Sequence, residues 1–376
     1  MDPIASITAH PVAYPEPNDS DRTRRVVLVR VATRDGAVGW GECISQTAPT
    51  GAAVKILVEQ AFAPVLVGSD PRDVRARWED MRTETWWYGH GGIANFAISA
   101  IDIALWDLAG KLAGLPVHRL LGGRVVDRVR ACASIIWDPG DLDWTQSEVE
   151  AAVAAGFTAM KCGWGRTRAH SFGMEPRRDV AAVARVREVI GPDVDLSVDV
   201  AAIAKWTTSH AVRMARRFEE FGLRWFEDPL DHRDLAGYAR IRAAAPIPLA
   251  TGERGWTHED YRTLAESGAV DIVLIDPGRV EGLTGMLRAA DHAAAAGVRF
   301  VPHSWSSALN TAAALAVFAS RPNGEIFEVK LRPSPLQHEL VDEPFDQVDG
   351  WLAVRDRPGL GVEVDEEVVR RYADAA

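Results

Sequence analysis

The pattern of apolar and polar positions divides the chain into two parts near residue 125. In the first part, two strand-like runs at 25–33 and 37–42 flank Asp35-Gly36. Asp-Gly between apolar runs is a strong signal for a tight hairpin turn. Helical periods follow at 51–66, 71–86 and 93–113. The last period ends before Gly114, as is typical of a helix C-terminus, and this part is predicted to contain both helices and strands.

From about Arg128 onward, short apolar runs alternate with stretches rich in Ala and Arg. The eight runs are RVRACAS, FTAMKCG, VDLSVDV, LRWFEDP, IPLATGE, DIVLIDP, RFVPHSW and EIFEVK. Short buried strands with seven helical connections are typical of parallel strands closed into an α/β barrel. After Pro335 the chain becomes polar and loop-rich and is expected to pack back on the N-terminal domain. The predicted domains are therefore 1–125, a barrel at 126–335 and a C-terminal segment at 336–376.

Composition narrows the range of partners and compartments. The chain has 53 acidic and 42 basic side chains, a net charge of -11, and no basic stripe, which argues against binding to nucleic acid. The first residues lack the charged and apolar regions of a signal peptide, and no run of about 18 apolar residues occurs. The three cysteines show no CxxC spacing, so neither disulfides nor a zinc site is expected. These features predict a soluble cytoplasmic protein with no membrane partner.

Ionisable residues stand at or just after the carboxyl ends of seven predicted strands. In α/β barrels the loops that follow the strands form one rim, where the chemistry of these proteins takes place. Successive members are 23 to 38 residues apart, roughly one strand-helix unit each, so we expect the side chains to converge. The set is Lys161, Asp199, Glu227, Glu253, Asp276, His303 and Glu328.

Three of these residues, Asp199, Glu227 and Glu253, come from consecutive strands. Crowded carboxylates repel one another unless a cation neutralises them, and an all-oxygen set suits Mg²⁺. The alternative is that each carboxylate only caps a nearby helix N-terminus. Three such residues in consecutive units favour the metal site.

Asp276 and His303 end neighbouring strands on the other side of the barrel. An Asp that accepts the imidazole N–H orients the ring and raises its basicity, which makes a general acid/base pair. The alternative for His303 is a hydrogen-bonded histidine of the core. Lys161 faces the carboxylates, and it is interpreted either as a cation that stabilises charge formed during proton removal or as a salt-bridge partner of a metal ligand.

The ordered set of seven residues resembles the mandelate racemase subgroup of the enolase superfamily. The resemblance extends over essentially the whole chain and includes ISAIDIALWDLAGK at 98–111, LPVHRLLGG at 115–123 and PGLGVEVD at 358–365. It implies a modified (β/α)7β barrel with an α+β capping domain built from both termini. Because relatives commonly assemble as dimers or octamers, a homo-oligomer is expected.

The resemblance also implies a mechanism. Mg²⁺ would be held by the residues matching Asp199, Glu227 and Glu253. A carboxylate substrate bound to this ion would lose its α-proton to give an enediolate. The dyad of His303 and Asp276 would serve as acid and base, and Glu328 would hydrogen-bond the substrate carboxylate.

One departure from the family pattern concerns the reaction. Racemases of this group carry Lys-x-Lys after the second strand; here Lys161 matches the first lysine, and Gly163 occupies the place of the second. Racemisation by two bases needs a base on each face of the α-carbon. The prediction is therefore a dehydratase of an acid sugar, an aldonate or aldarate, that yields a 2-keto-3-deoxy acid. The alternatives are an epimerase, racemase or cycloisomerase, favoured if Lys205 or another side chain replaces the missing base, and a catalytically silent binding or structural relative.

Candidate substrate-contacting residues lie in loops of the N-terminal domain and of the barrel. By the resemblance, loops near residues 14–22 and 45–51 close over the substrate. Trp86, Trp87 and Tyr88 are interpreted either as a stacking surface for a sugar chain or as a helix end packed on the barrel. Ala201 and Arg254 depart from the family pattern and are expected to alter substrate contacts. The long loop after the second strand contains Trp164, Arg166, Arg168 and His170, and one of its arginines is a candidate to bind a distal carboxylate if the substrate is a diacid.

Overall fold

A three-stranded antiparallel sheet forms the start of the chain in a computed structural model that describes residues 2–374. Its strands, in spatial order, are β1 (Ile4–Glu16), β2 (Arg22–Thr33) and β3 (Val38–Ile44). The hairpin predicted at Asp35-Gly36 joins β2 and β3, and Gly36 adopts the left-handed φ of 91° that favours glycine. The sequence pattern does not predict β1, because its prolines are unfavourable inside a sheet. They are tolerated because β1 is an edge strand, where a missing N–H costs little.

Helices cover one face of this sheet. They are α1 (Ala48–Ile56), a π-helical turn (Leu57–Phe62), α2 (Ala63–Leu66), α3 (Val74–Glu84), α4 (Ile93–Ala113) and α5 (Val117–Leu120). Helix α4 approaches β3 very closely, because a Cβ on Gly39 or Gly41 would lie 2.2 Å from a carbonyl oxygen of α4. By length and composition α4 could cross a membrane, but 89% of its apolar window is buried inside the protein, as in the core helix of a globular domain.

Eight parallel strands form the second, larger sheet. They are β4 (Arg128–Ile136), β5 (Ala159–Gly163), β6 (Asp195–Asp199), β7 (Phe226–Glu227), β8 (Leu249–Thr251), β9 (Ile272–Ile275), β10 (Arg299–Pro302) and β11 (Phe327–Lys330). The order runs from β10 down to β4 and then to β11, and a bridge between Phe300 and Gly324 brings the two ends together. This nearly closed barrel, with its separate antiparallel sheet, confirms the predicted fold class.

Seven helices connect the barrel strands, as the pattern predicts. They are α6 (Leu142–Ala154), α7 (Pro176–Ile190), α8 (Thr208–Phe218), α9 (Leu235–Ala244), α10 (His258–Glu266), α11 (Gly282–Ala295) and α12 (Ala308–Ala319). The barrel interior is a packed cluster that includes Trp225, Leu274 and Val301, so the barrel is not a pore. The carboxyl ends of the strands are left to carry polar groups.

The C-terminal segment contacts both sheets. It contains α13 (Pro335–His338), β12 (Trp351–Ala353) and α14 (Glu366–Arg371). Strand β12 pairs antiparallel with β4 of the barrel, and Ala373 bridges Val12 of β1. The exact division of the chain into domains near residues 125 and 335 stays a prediction.

A buried ion pair joins β1 to the last barrel strand. Lys330 Nζ lies 2.6 Å from Glu16 Oε2, and both side chains are buried. We expect Lys330→Met to lower the free energy of unfolding by about 3–5 kcal/mol, because it leaves the Glu16 carboxylate buried without its partner. Urea denaturation measures the change. Lys55→Met, which removes the partly exposed helical pair with Glu59, is the control and should change stability by less than about 1 kcal/mol. Equal effects of the two substitutions would contradict the role given to the buried pair.

Candidate active site

The structure brings all seven predicted residues together at the carboxyl end of the barrel. Six of them line a cavity of about 270 Å³, namely Lys161, Asp199, Glu253, Asp276, His303 and Glu328. The seventh, Glu227, lies against this group, with its Oε1 atom 2.7 Å from Lys161 Nζ. The N-terminal domain covers one side of the cavity through Arg24, Ile44 and Gln46. Of these, Gln46 falls within the predicted covering loops, whereas Arg24 lies two residues beyond one of them.

Three carboxylates form a compact, buried cluster. Asp199, Glu227 and Glu253 each offer an oxygen within 4.8 Å of the others. Burial raises the pKa of Asp199 to about 6. Within this net shift, the positive charge of Lys161 lowers the pKa, whereas the negative charge of Glu253 raises it. Burial also raises the pKa of Glu227 well above its ordinary value. A divalent cation would relieve both the desolvation and the repulsion, and an all-oxygen set beside an open cavity fits Mg²⁺.

Two tryptophans orient the carboxylate cluster. Trp225 Nε1 donates to Glu227 Oε2 at 2.7 Å, and Trp164 Nε1 donates to Asp199 Oδ2 at 3.0 Å. The backbone N–H of Ala201 donates to the other oxygen of Asp199 at 2.6 Å. Sequence reasoning missed Trp225, although side chains two residues apart on a strand share one face, so its spacing from Glu227 was a usable signal.

Lys161 lies within 4 Å of three carboxylates. Its Nζ atom is 2.7 Å from Glu227 Oε1, 3.0 Å from Glu328 Oε1 and 3.9 Å from Asp199 Oδ2. Burial disfavours its charge, but the surrounding carboxylates, led by Glu227, raise its pKa well above the ordinary value. For Glu328, burial is outweighed by Lys161 and His303, which lower the pKa of its carboxyl. A charged Lys161 paired with an ionised Glu328 therefore borders the cavity.

His303 and Asp276 form the predicted dyad. The Nδ1 atom of His303 is 2.7 Å from Asp276 Oδ2, while Nε2 lies 3.5 Å from Glu253 Oε2. The backbone N–H of Gly278 donates to the other oxygen of Asp276 at 2.8 Å, which fixes the carboxylate. Burial opposes the charge on the ring, but the hydrogen bond to Asp276 raises the pKa of His303 to about 9. With Nδ1 bound to Asp276, Nε2 is the nitrogen that faces the carboxylate cluster.

The opposite side of the cavity has no room for a second base at residue 163. A Cβ on Gly163 would lie 2.5 Å from the backbone oxygen of Asp199 and 2.7 Å from its Cβ. No side chain fits there unless the strands move apart. Lys205, the other candidate for this role, is exposed and does not line the cavity.

We expect Gly163→Ala to destabilise the protein by about 1–3 kcal/mol, since the added methyl group meets backbone atoms of the neighbouring strand. The free energy of unfolding in urea measures this cost. Gly51→Ala is the matched control. A Cβ at Gly51 has its nearest neighbours at 3.6 Å, so this change inside α1 should stabilise the protein by about 0.5–1 kcal/mol. An unchanged or higher stability of Gly163→Ala would show that position 163 can hold a side chain.

The residues expected to affect specificity lie in different surroundings. Arg254 donates to Asp228 Oδ2 at 2.5 Å and to the carbonyl oxygen of Ala201 at 2.8 Å, and it lines the cavity. The guanidinium of Arg166 stacks on Trp144 outside the cavity. The side chain of Arg168 lies outside the described part of the structure.

The aromatic residues considered for sugar stacking are on the surface. Trp86, Trp87 and Tyr88 have exposed fractions of 68%, 81% and 58%. None of them lines the cavity, and more than half of each side chain is exposed. Neither interpretation of this stretch is supported by the structure.

Comparison with known proteins places the chain in a family. Residues 7–122 match the family described as "Mandelate racemase / muconate lactonizing enzyme, N-terminal domain", and residues 144–368 match "Enolase C-terminal domain-like". The chain therefore belongs to the mandelate racemase and muconate lactonizing enzyme family of the enolase superfamily. This confirms the resemblance drawn from the seven residues.

Relatives named as dehydratases and cycloisomerases match over most of the chain. The chain is 35% identical over 360 residues to D-galactarolactone cycloisomerase of Agrobacterium fabrum, covering 93% of this chain and 91% of the relative. It is 30% identical over 357 residues to arabinonate dehydratase of Saccharolobus solfataricus, covering 94% and 92%. A racemase from Streptomyces coelicolor, solved with bound magnesium, superimposes with a TM-score of 0.87 at 29% identity, covering 99% of this chain and 100% of that structure. These names agree with the predicted class of enzyme, a lyase with an isomerase as the alternative.

Proposed function

We propose that this enzyme removes an oxygen substituent β to the carboxylate of an acid sugar, and that its reaction is the dehydration of an aldonate or aldarate to a 2-keto-3-deoxy acid. The observation that carries the proposal is the one-sided arrangement of the cavity. The dyad of His303 and Asp276 faces the carboxylate cluster. At Gly163, the position from which a second base would act, atoms of Asp199 leave no room for a side chain. Acid–base chemistry on one face of the α-carbon is sufficient for β-elimination.

The cluster of Asp199, Glu227 and Glu253 would hold Mg²⁺. The bound ion would act as a Lewis acid that stabilises the negative charge developing on the substrate carboxylate. Lys161 lies next to the cluster and would add a fixed positive charge to the same region. Glu328, which contacts Lys161 from β11, is proposed to hydrogen-bond the substrate carboxylate, and for this its own carboxyl must hold the proton that it donates.

The dyad would move the proton. In its neutral form, the His303 imidazole takes the proton from the α-carbon at Nε2, while Asp276 holds Nδ1 and stabilises the resulting imidazolium. The α-carbon to hydrogen bond breaks, an enediolate forms, and the bond from the β-carbon to its oxygen then breaks. The same imidazolium protonates the departing hydroxyl, which leaves as water. The enol that remains tautomerises to the 2-keto-3-deoxy acid.

A cycloisomerase is the second candidate. Part of the cavity wall is apolar, with Ile44, Ile135, Ile136 and Ile203 among the lining residues, and such a wall suits a ring better than an extended chain of hydroxyl groups. If the β-oxygen belonged to a lactone or an ether ring, the same elimination would open the ring without release of water. The identity to a galactarolactone cycloisomerase supports this candidate. Racemisation is disfavoured because Lys205 is exposed outside the cavity.

Proton NMR tests the proposed function. Purified protein with Mg²⁺ is incubated in D₂O with a library of aldonates, aldarates and their lactones. A 2-keto-3-deoxy acid formed from one open-chain acid, and not formed with EDTA, is the expected result. Ring opening of a lactone with no reaction of the open acid would instead establish the cycloisomerase. Neither α-proton exchange nor turnover of any library member would contradict both candidates and favour a catalytically silent relative.

Two broader expectations remain part of the proposal. A soluble cytoplasmic location is proposed; within residues 2–374, the one helix long and apolar enough to cross a membrane is α4, and it is buried in the core. Assembly into a dimer or octamer is proposed from the family alone.

A further inference from the structure

The cationic side chains of the cavity have partners, with one exception. The paired cations and their nearest carboxylate partners are Arg24 with Asp19 at 2.8 Å, Lys161 with Glu227 at 2.7 Å, Arg254 with Asp228 at 2.5 Å, and His303 with Asp276 at 2.7 Å. The exception is Arg279, which lines the same cavity and forms no ion pair with a carboxylate among residues 2–374.

Arg279 is held in place by aromatic rings. Its guanidinium carbon lies 3.9 Å from the ring centroid of Trp256 and 5.6 Å from that of Phe96. Its Nε atom is buried and has no hydrogen-bond partner, and Nη2 makes only a long contact of 3.5 Å with the carbonyl oxygen of Arg254. A buried cation without a partner is costly, and stacking on an indole satisfies the face of the guanidinium but not its N–H groups.

The position of Arg279 relates it to the reaction centre. It follows Asp276 by three residues, and its backbone N–H donates to the Asp276 carbonyl at 3.1 Å. The intervening Gly278 lies against Cys43 of β3, so this part of the cavity is where the barrel meets the N-terminal domain. The carboxylate cluster and Lys161 are placed to hold the reacting carboxylate. Arg279 is therefore available for a different group of the same substrate.

We infer that Arg279 binds a second carboxylate, so that the substrate is a dicarboxylic acid sugar of the aldarate class. The planar fork of a guanidinium matches a carboxylate in a bidentate pair, and the rings of Trp256 and Phe96 fix the fork before the substrate arrives. This inference rests on the proposed function, because it assumes that the other end of the substrate reacts beside His303. It adds the substrate class, which the dyad and the carboxylate cluster leave open.

Matched pairs of acids test the inference. Hexarates and the hexonates of the same configuration, such as galactarate with galactonate and glucarate with gluconate, differ only in the terminal carboxylate. For the wild type we expect kcat/KM to be at least about 10-fold higher for the preferred hexarate than for its hexonate. Arg279→Gln should lower kcat/KM for that hexarate about 10- to 100-fold, mainly through KM, and change the value for the hexonate less than about 3-fold. Arg279→Lys keeps the charge but loses the planar fork of N–H donors. Its kcat/KM for the hexarate should therefore lie between the values for the wild type and Arg279→Gln.

A control separates this role from a structural one. Arg128 also stacks on a tryptophan, with its guanidinium carbon 4.3 Å from the centroid of the Trp351 ring, but it lies outside the cavity. Arg128→Gln should therefore leave kcat/KM unchanged for both the hexarate and the hexonate. Equal losses for hexarate and hexonate in Arg279→Gln, or a wild type that prefers the hexonate, would overturn the inference.

Binding measured by calorimetry distinguishes a failure of the Arg279 assignment from a failure of the proposed function. If no acid is turned over, the proposed function fails, and binding of the same hexarates to wild type and to Arg279→Gln is then compared. Binding that is lost with the arginine supports the carboxylate site. Equal binding, or no binding to either protein, overturns it.

Discussion

Replacing His303 by asparagine is expected to lower kcat by about 10²- to 10⁴-fold, the range contributed by a general acid–base group. Asparagine can still donate a hydrogen bond to Asp276, but it cannot take the α-proton. Because the substitution removes a step of the reaction and not a binding contact, KM should change much less than kcat. Steady-state kinetics on the acid identified by NMR measures the effect, with circular dichroism to show that the fold is kept.

A second histidine–aspartate pair provides the control for this substitution. His338 Nε2 lies 3.0 Å from Asp346 Oδ1, and neither residue lines the cavity of the carboxylate cluster. His338→Asn should therefore leave kcat unchanged. If His303→Asn kept more than a tenth of the wild-type kcat, another group would have to be the base, and the dyad would lose its assigned role.

Replacing Glu253 by glutamine is expected to weaken Mg²⁺ binding by about 100-fold or more and to abolish activity at millimolar Mg²⁺. Hard cations depend on charged carboxylate ligands, and the amide keeps the shape of the side chain but not its charge. Isothermal titration calorimetry with MgCl₂ measures the affinity, and EDTA should remove the activity of the wild type in parallel.

The protein contains a second acidic cluster that serves as the control. His258, Glu259 and Glu281 also offer ligand atoms within 4.8 Å of one another, but Arg82 contacts both carboxylates. A guanidinium already neutralises this cluster, so Glu259→Gln should leave Mg²⁺ binding unchanged. Loss of Mg²⁺ binding in Glu259→Gln, with normal binding in Glu253→Gln, would place the ion at this second cluster and contradict the proposed metal site.

The barrel was predictable because its strands are short, apolar and bounded by polar residues. The ends of these strands carry the seven ionisable residues, and parallel strands in a barrel must bring such ends together. The close packing of α4 on Gly39 and Gly41, by contrast, depends on contacts between segments far apart in sequence. The edge strand β1 was missed because its prolines oppose a strand in the interior of a sheet but not at its edge.

Some features of the site can be predicted from the sequence, whereas others depend on contacts in the folded protein. Glycine at position 163 is visible in the sequence, but the backbone oxygen that closes its space belongs to Asp199, on the next strand. Arginine is the commonest basic residue of this chain, so composition could not single out Arg279. Its lack of a carboxylate partner is a property of the folded state alone.

The most direct test of the one-sided chemistry uses pairs of acids that differ only in configuration at the α-carbon. Each pair is incubated with the enzyme and Mg²⁺ in D₂O and followed by proton NMR. A single dyad at His303 predicts that one epimer of the reactive pair is consumed and that the other is neither consumed nor formed. Consumption of both epimers, or appearance of the second epimer with deuterium at the α-carbon, would require a base on the Gly163 side and would contradict this account.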